Sequence, residues 1–65
     1  MMSFPDAIRE IISGRKVTRL EWNNTDYGLL KDGYLMINRN GFFHQWLVND
    51  GDLLALDWVT LPEGN

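Results

Sequence analysis

Two tight-turn dipeptides constrain the fold of this chain more than any other sequence feature. Asp32-Gly33 and Asn40-Gly41 are residue pairs that readily adopt the left-handed backbone angles of two-residue hairpin turns. They separate apolar and aromatic segments of strand length at residues 27–30, 34–37 and 42–46. The centre of the chain is therefore predicted to form two consecutive hairpins, which make an antiparallel meander.

An amphipathic helix is predicted before the meander, over residues 4–13. Ser3 is a good N-cap, and Asp6 three positions later completes a capping-box pattern. Gly14 suits the left-handed position that ends a helix. The apolar residues repeat with helical spacing and comprise Phe4, Ala7, Ile8, Ile11 and Ile12.

The flanks of the meander supply the remaining elements. Residues 17–20 alternate and predict a strand that ends near Trp22, before a polar loop at residues 23–26. Asn49 is suited to cap a short helical turn, with Asp52 as the acid that reaches back to it. A last strand is predicted at residues 58–61, and residues 62–65 are expected to fray.

Three leucines of that helical turn are expected to pack inward: Leu53, Leu54 and Leu56. The predicted fold class is α+β, with an N-terminal helix packed on an antiparallel sheet of about four to five strands. A short helical turn precedes the last strand, and residues 1–65 form one domain.

Size makes an isolated monomer marginal. The apolar surface that 65 residues bury is worth about as much as the entropy lost on ordering them, at ~1.5 kcal/mol per residue. The chain contains no cysteine and one histidine, so neither a disulfide nor a thiolate or His-rich metal site is available to stabilise it. We therefore expect self-association, in a reducing compartment.

Charge and hydropathy exclude two classes of partner. Six basic and nine acidic residues give a formal charge of −3, and the cations are scattered. Nucleic-acid binders normally carry a basic stripe, so no nucleic acid is expected as a partner. No apolar run approaches the length of a membrane span, and the first residues do not resemble a signal peptide. A cytoplasmic protein without a membrane partner is predicted.

Catalytic motifs are not apparent in the sequence. It has no Gly-rich phosphate loop, no cysteine nucleophile and no zinc-protease or hydrolase motif. His44 is expected to be a surface or structural imidazole. Asp50, Asp52 and Asp57 lack the ligand spacing of a calcium loop, and capping explains Asp52. The sequence predicts neither an enzyme nor a cofactor or metal site.

The three tryptophans are the best candidates for ligand contact. Trp58 lies in an alternating strand and is expected in the core, as is Trp46 with less support from its neighbours. Trp22 follows a strand and precedes a polar loop. It either closes the base of the helix or offers its ring face to a planar ligand, because indole faces stack on nucleobases.

Three blocks of the sequence together resemble a known family. They are F-P-D-A-I at residues 4–8, G-R-K-V-T-R-L-E-W at residues 14–22 and D-L-L-A-L-D-W at residues 52–58. In these blocks the chain resembles the Thoeris anti-defence two family of small phage and prophage proteins. Trp46, Asn49 and Asp52 also match a family spacing, with Asn49 in place of serine. Many members are longer between the first tryptophan and the last block.

The resemblance implies sequestration without catalysis. Bacterial Thoeris immunity makes cyclic ADP-ribose isomers that activate an NAD-destroying effector, and the family acts as a sponge that binds the messenger intact. Some members are also thought to bind cyclic di- or oligonucleotides. Members are homo-oligomers, typically dimers of dimers, with pockets between subunits. A phage-encoded member would act in the host cytoplasm.

The resemblance also implies site residues. Trp22 matches the tryptophan expected to stack on the base of the ligand. Asn49 and Asp52 fall in the segment expected to line the same pocket and to hold ribose hydroxyls. Arg19 is a candidate to neutralise a pyrophosphate, or equally to pair with Asp57.

Further candidates lie on the strand after the second hairpin turn. Phe43, His44 and Trp46 are candidates for a pocket wall from a neighbouring subunit. Two rival hypotheses use the same region: a protein-interaction module in which Phe42, Phe43 and Trp46 form a patch, and a small hydrolase that depends on His44 or Asp57.

Overall fold

The computed structural model describes residues 1–62 and begins with the predicted helix. Helix α1 spans Phe4–Ile12, and Gly14 beyond its end has a φ of 101°. Ser3 occupies the N-cap, but its hydroxyl donates to the Asp6 carboxylate at 3.2 Å instead of accepting a backbone N–H. The predicted helix is confirmed and the capping box is wrong, because Asp6 engages the hydroxyl directly. Of residues 62–65, which were predicted to fray, all but Pro62 lie outside the described residues.

The strands that follow are β1 Val17–Arg19, β2 Asp26–Lys31, β3 Tyr34–Arg39, β4 Phe42–Gln45 and β5 Trp58–Thr60. Within residues 1–62 these five strands form one antiparallel sheet in the spatial order β4-β3-β2-β1-β5. A 3₁₀ turn at Leu20–Trp22 follows β1, and helix α2 at Asp50–Leu54 precedes β5. The predicted α+β class is confirmed.

Both hairpin turns have the backbone conformation that their dipeptides favour. Asp32 and Gly33 have φ values of 52° and 83°, and Asn40 and Gly41 have 54° and 89°. Positive φ at both central positions defines the turn type whose twist matches that of the flanking strands. The first turn pairs Lys31 with Tyr34, which sets the register of β2 against β3.

Helix α1 covers one face of the sheet and forms the core with it. The buried apolar residues are Phe4, Ala7, Ile11, Val17, Ile37, Trp46 and Trp58. Four rings meet there: Phe4 and the three tryptophans make five ring contacts with centroids 5.2–6.3 Å apart. Such separations are typical of favourable aromatic pairs. The predictions that Trp46 and Trp58 are core residues are confirmed, at 5% and 0% exposed.

The prediction that the leucines in and just after α2 pack inward is wrong. Leu53, Leu54 and Leu56 are 50%, 76% and 71% exposed. Helix α2 has only five residues, and its inward position is occupied by Asp52, which is 5% exposed. Because Asp52 is drawn inward by a cation, its apolar neighbours point to the surface.

The opposite face of the sheet is not covered by a helix within residues 1–62. Its rows of paired residues are Thr18 with Val59, Tyr27 with Asn38 and Phe43, and Leu29 with Met36 and Gln45. Lys16 and Lys31 lie over the rings of Tyr27 and Phe43 at 5.0 and 4.8 Å. We refer to these residues as the open face. Five of its ten residues are apolar or aromatic, namely Tyr27, Leu29, Met36, Phe43 and Val59, whereas a solvated sheet face is normally polar.

At Gly28 the backbone of β2 lies directly against the ring of Trp46. A Cβ atom at this position would lie 2.3 Å from Cζ3 of Trp46 and 2.9 Å from Cε3. The indole therefore lies directly against the backbone of β2, and only glycine leaves room for it.

We predict that Gly28→Ala destabilises the protein by about 1–3 kcal/mol or more, because the methyl group overpacks a buried ring. Urea unfolding gives the free-energy change. In the double variant with Trp46→Leu the smaller side chain relieves the clash, so the combined cost is less than the sum of the two single costs. Additive costs would contradict the packing described.

Candidate functional site

The second and third sequence blocks converge on the side chain of Arg19. Its Nε donates to Oδ1 of Asp57 at 2.8 Å, and its Nη1 donates to Oδ1 of Asp52 at 3.0 Å. Glu21 forms a third, more exposed ion pair at 3.4 Å. The Arg19 side chain is 12% exposed. We call Arg19, Asp52 and Asp57 the Arg19 clamp.

Further hydrogen bonds of Asp57 and Asp52 connect the clamp to the 3₁₀ turn, α2 and β5. Oδ2 of Asp57 accepts the backbone N–H of Glu21 at 3.1 Å, which joins the 3₁₀ turn to the residue before β5. The backbone carbonyl of Asp52 accepts the indole N–H of Trp58 at 3.1 Å. Oδ1 of Asn49 accepts the backbone N–H of Asp52 at 2.8 Å and caps α2. Asp52 is therefore the centre of a network that joins β1, α2 and β5.

Of the two roles considered for Arg19, the structure favours pairing with Asp57. The guanidinium faces three carboxylates, so its charge is neutralised within the chain. The hydrogen bond from Arg19 holds the pKa of Asp57 below its usual value, and the same bond raises the pKa of Arg19. Both groups stay charged across the neutral range.

Asn49 and Asp52 lie together at the N-terminus of α2, where Asn49 is the N-cap. The prediction that Asn49 caps α2 is confirmed. The prediction that the Asp52 side chain reaches back to Asn49 is wrong, because its carboxylate binds Arg19 instead. A charge-assisted bond in a buried setting is stronger than a bond to a terminal backbone N–H that remains close to water.

The side chain of Trp22 lies partly in the core and partly at the surface. Its ring meets those of Trp46 and Trp58 nearly at right angles, at interplanar angles of 69° and 84°, so it adds to the core. It is nevertheless only partly buried. The backbone carbonyl of Trp22 accepts the hydroxyl of Thr25 at 2.7 Å and its N–H at 3.1 Å, which fixes the turn that carries the ring.

The three candidates on and after β4 do not form one surface. Phe43 belongs to the open face and is 41% exposed. His44 pairs with Ile37 and so lies on the helix-facing side, at the exposed edge strand. Trp46 is buried in the aromatic cluster, where its backbone N–H donates to the carbonyl of Leu35 at 3.2 Å. Neighbours in a strand alternate between faces, which separates Phe43 from His44.

A pocket of about 310 Å³ lies beside Trp46 at the edge formed by β3 and β4. It is lined by Tyr34, Leu35, Met36, Gln45 and Trp46. Apart from Trp46, none of these residues was predicted from the sequence. The hairpin register pairs Met36 with Gln45, but pairing alone does not indicate that a space remains beside them.

The groups available for other chemistry are few. Within residues 1–62 there is no cluster of three or more His, Cys, Asp or Glu side chains that would hold a metal ion. None of the helices described is both long and apolar enough to cross a bilayer.

The fold and the site define a small α+β domain whose motif residues build an ion-pair clamp and an aromatic cluster. A model of the Tad2-like family, described as the Thoeris anti-defense 2-like domain, matches residues 2–61. The chain therefore belongs to this family, which confirms the resemblance seen in the three sequence blocks. A comparison with curated proteins gives no match. Anti-defence sponges of this family are generally non-catalytic, and the family implies binding of an immune signalling molecule.

We predict that Asp57→Asn lowers stability at pH 7 by about 1.5–3 kcal/mol, the usual range for a hydrogen bond to a charged group. The lowered pKa of Asp57 means that its contribution is present above the unfolded value of about 4. That contribution is lost as the pH falls through the lower folded value.

The difference in unfolding free energy between the natural protein and Asp57→Asn should therefore narrow between pH 5 and pH 2, in urea titrations at fixed ionic strength. Asp50→Asn, which changes an exposed acid of α2, serves as the control. A difference that stays constant over this range would contradict the role assigned to the Asp57 charge.

Proposed function

We propose that this protein is an anti-defence sponge that binds a cyclic nucleotide messenger and holds it without cleaving it. The messenger is a cyclic ADP-ribose isomer or a cyclic di- or oligonucleotide, and a phage-encoded protein would act in the host cytoplasm. Family membership supports the class. The observation that carries the ligand assignment is the partly exposed ring of Trp22 in the family motif, backed by two buried tryptophans.

Contacts with the neighbouring tryptophan rings restrict the motion of the Trp22 ring, which suits it for stacking on a base. A ring already held by neighbouring aromatics loses little conformational entropy when a ligand binds. Stacking of a base on an aromatic ring contributes about 1–3 kcal/mol. Asn49 and Asp52 belong to a network that reaches Trp22 through Trp58, which supports a pocket bordered by these residues.

Arg19 contributes to the proposed site as a positioning residue. Its guanidinium is engaged by Asp52 and Asp57, so a pyrophosphate would have to displace carboxylates to reach it. By holding the 3₁₀ turn to α2 and β5, Arg19 fixes the turn that carries Trp22.

Sequestration fits the state of the ionisable groups better than hydrolysis does. The lowered pKa of Asp57 keeps it ionised and bound to Arg19, so it is a poor general acid or base at neutral pH. His44 lies on the exposed edge strand β4. Within residues 1–62, no carboxylate accepts a hydrogen bond from the His44 imidazole and orients its ring.

The open face supports the homo-oligomeric part of the proposal. A stable interface buries about 800 Å² on each partner, roughly a fifth of the 4471 Å² surface of this chain. Leu29, Met36 and Val59 are apolar residues on a face that no helix of residues 1–62 covers. Sheet-to-sheet packing of two copies would bury them and stabilise a marginal monomer. A dimer of dimers would place pockets between subunits.

We predict that a panel of cyclic ADP-ribose isomers and cyclic dinucleotides contains a ligand that raises the melting temperature. A ligand present at 100 times its Kd stabilises the folded state by about 2.7 kcal/mol. Heating the complex should release the ligand intact, as measured by mass spectrometry. Consumption of the ligand would indicate an enzyme instead.

Trp22→Ala should weaken this binding by about 1–3 kcal/mol because the stacking surface is lost. Phe42→Ala is the matched control, since Phe42 is 70% exposed on the edge strand. Equal weakening by the two variants would refute the role of Trp22. If no nucleotide changes the melting temperature, the protein-interaction hypothesis replaces the sponge.

We predict that the natural protein sediments as an oligomer at micromolar concentration and that Leu29→Lys dissociates it. Lysine introduces an unpaired charge into the proposed apolar interface. Leu54→Lys is the control, because Leu54 is 76% exposed on α2, away from the open face. A natural protein that sediments as a 7.6 kDa monomer would rule out this assembly.

A further inference from the structure

The indole N–H of Trp46 is the one buried side-chain polar atom within residues 1–62 that has no hydrogen-bond partner. The contrast with Trp58 is direct, because the Trp58 indole donates to the carbonyl of Asp52 at 3.1 Å. Buried polar groups in native proteins are nearly always paired, so an unpaired donor needs a specific explanation.

The position of Trp46 provides that explanation. Its ring belongs to the aromatic cluster and also lines the 310 Å³ pocket at the edge formed by β3 and β4. Of the other residues that line the pocket, Tyr34 is 72% exposed and Gln45 is also exposed. Exposed side chains change rotamer within nanoseconds, so an entering molecule can displace Tyr34 and Gln45 and enlarge its contact with the indole.

The chemistry of the lining selects the kind of molecule. No charged side chain lines the pocket, which disfavours a phosphate as the group that enters. Leu35, Met36 and the indole provide an apolar surface for a flat ring. The Trp46 N–H is a donor, and the Gln45 amide both donates and accepts. A volume of about 310 Å³ is at the lower end of small-molecule sites.

We propose that this pocket binds an uncharged heteroaromatic ring with a hydrogen-bond acceptor on its edge, the chemistry of a nucleobase. The Trp46 N–H donates to that acceptor. The free protein already bears the cost of the unpaired donor, so the new bond is made without breaking a bond to water. This pocket is distinct from the partly exposed ring of Trp22, so the proposal is tested independently of the proposed sponge function.

The first test is nuclear magnetic resonance of the full chain labelled with ¹⁵N in its three tryptophans. The probes are adenosine, cyclic ADP-ribose and, as a control without a base, ribose 5-phosphate. Adenosine should shift the Trp46 indole N–H downfield and slow its exchange with water, whereas ribose 5-phosphate and the Trp58 signal should show no change. A shift with cyclic ADP-ribose assigns the ring to a messenger, and a shift with adenosine alone assigns it to a separate nucleoside.

Two results of this experiment would overturn the proposal. One is a Trp46 signal that no base-containing probe moves, even where melting temperatures show that a nucleotide binds elsewhere. The other is a Trp46 signal that is already protected without ligand and loses its protection on dilution. That result would mean that a second copy of the chain supplies the acceptor.

The second test removes the donor and keeps the ring. A chain of 65 residues is accessible to chemical synthesis, and 3-benzothienylalanine in place of Trp46 replaces the N–H by sulfur with little change in shape. The affinity for adenosine should fall about tenfold, as expected for one hydrogen bond, while the melting temperature stays the same or rises. The same replacement at Trp58 should lower the melting temperature and leave the affinity unchanged. A lower melting temperature for the Trp46 analogue would show that its N–H has a partner in the folded chain, and would refute the proposal.

Discussion

The position of Arg19 between Asp52 and Asp57 is the interaction on which the rest of this structure depends. The sheet is small and its last strand has three residues, so hydrogen bonds between strands alone would hold β5 weakly. The Arg19 clamp adds charge-assisted bonds from β1 to both ends of the segment that leads into β5. Breaking a buried ion pair leaves an uncompensated charge, so a single substitution in such a network strongly lowers the stability of the folded state. The clamp therefore gives a domain of 65 residues one well-defined arrangement at the end where the proposed ligand site lies.

The clamp and the aromatic cluster depend on each other. The Trp58 indole donates to the backbone of Asp52, and the carboxylate of Asp52 accepts from Arg19. Asp52 therefore links the guanidinium of Arg19 to a core ring that contacts the ring of Trp22. The motif residues are thus better understood as a framework that orients one partly exposed tryptophan than as a set of separate ligand contacts.

Local chemistry made much of the fold predictable. The two hairpins follow from Asp32-Gly33 and Asn40-Gly41, whose backbone preferences act within four residues. Helix α1 follows from its apolar spacing and its flanking Ser3 and Gly14. The leucines of α2 were mispredicted because the orientation of that helix depends on Arg19, 33 residues away from Asp52. The pocket beside Trp46 was not predictable either, since a cavity is the space left after distant side chains have packed. Trp22 was open to two interpretations because both the core and the surface accommodate it.

The three charges of the Arg19 clamp lie outside the two hairpins in the sequence. Arg19 precedes the hairpins, whereas Asp52 and Asp57 follow them. Ile37 and Trp46 of the intervening segment pack in the core, but the turns at residues 32–33 and 40–41 lie at the surface. Longer or different turns would therefore leave both the core and the ion pairs in place, so this part of the surface is free to vary in sequence and length.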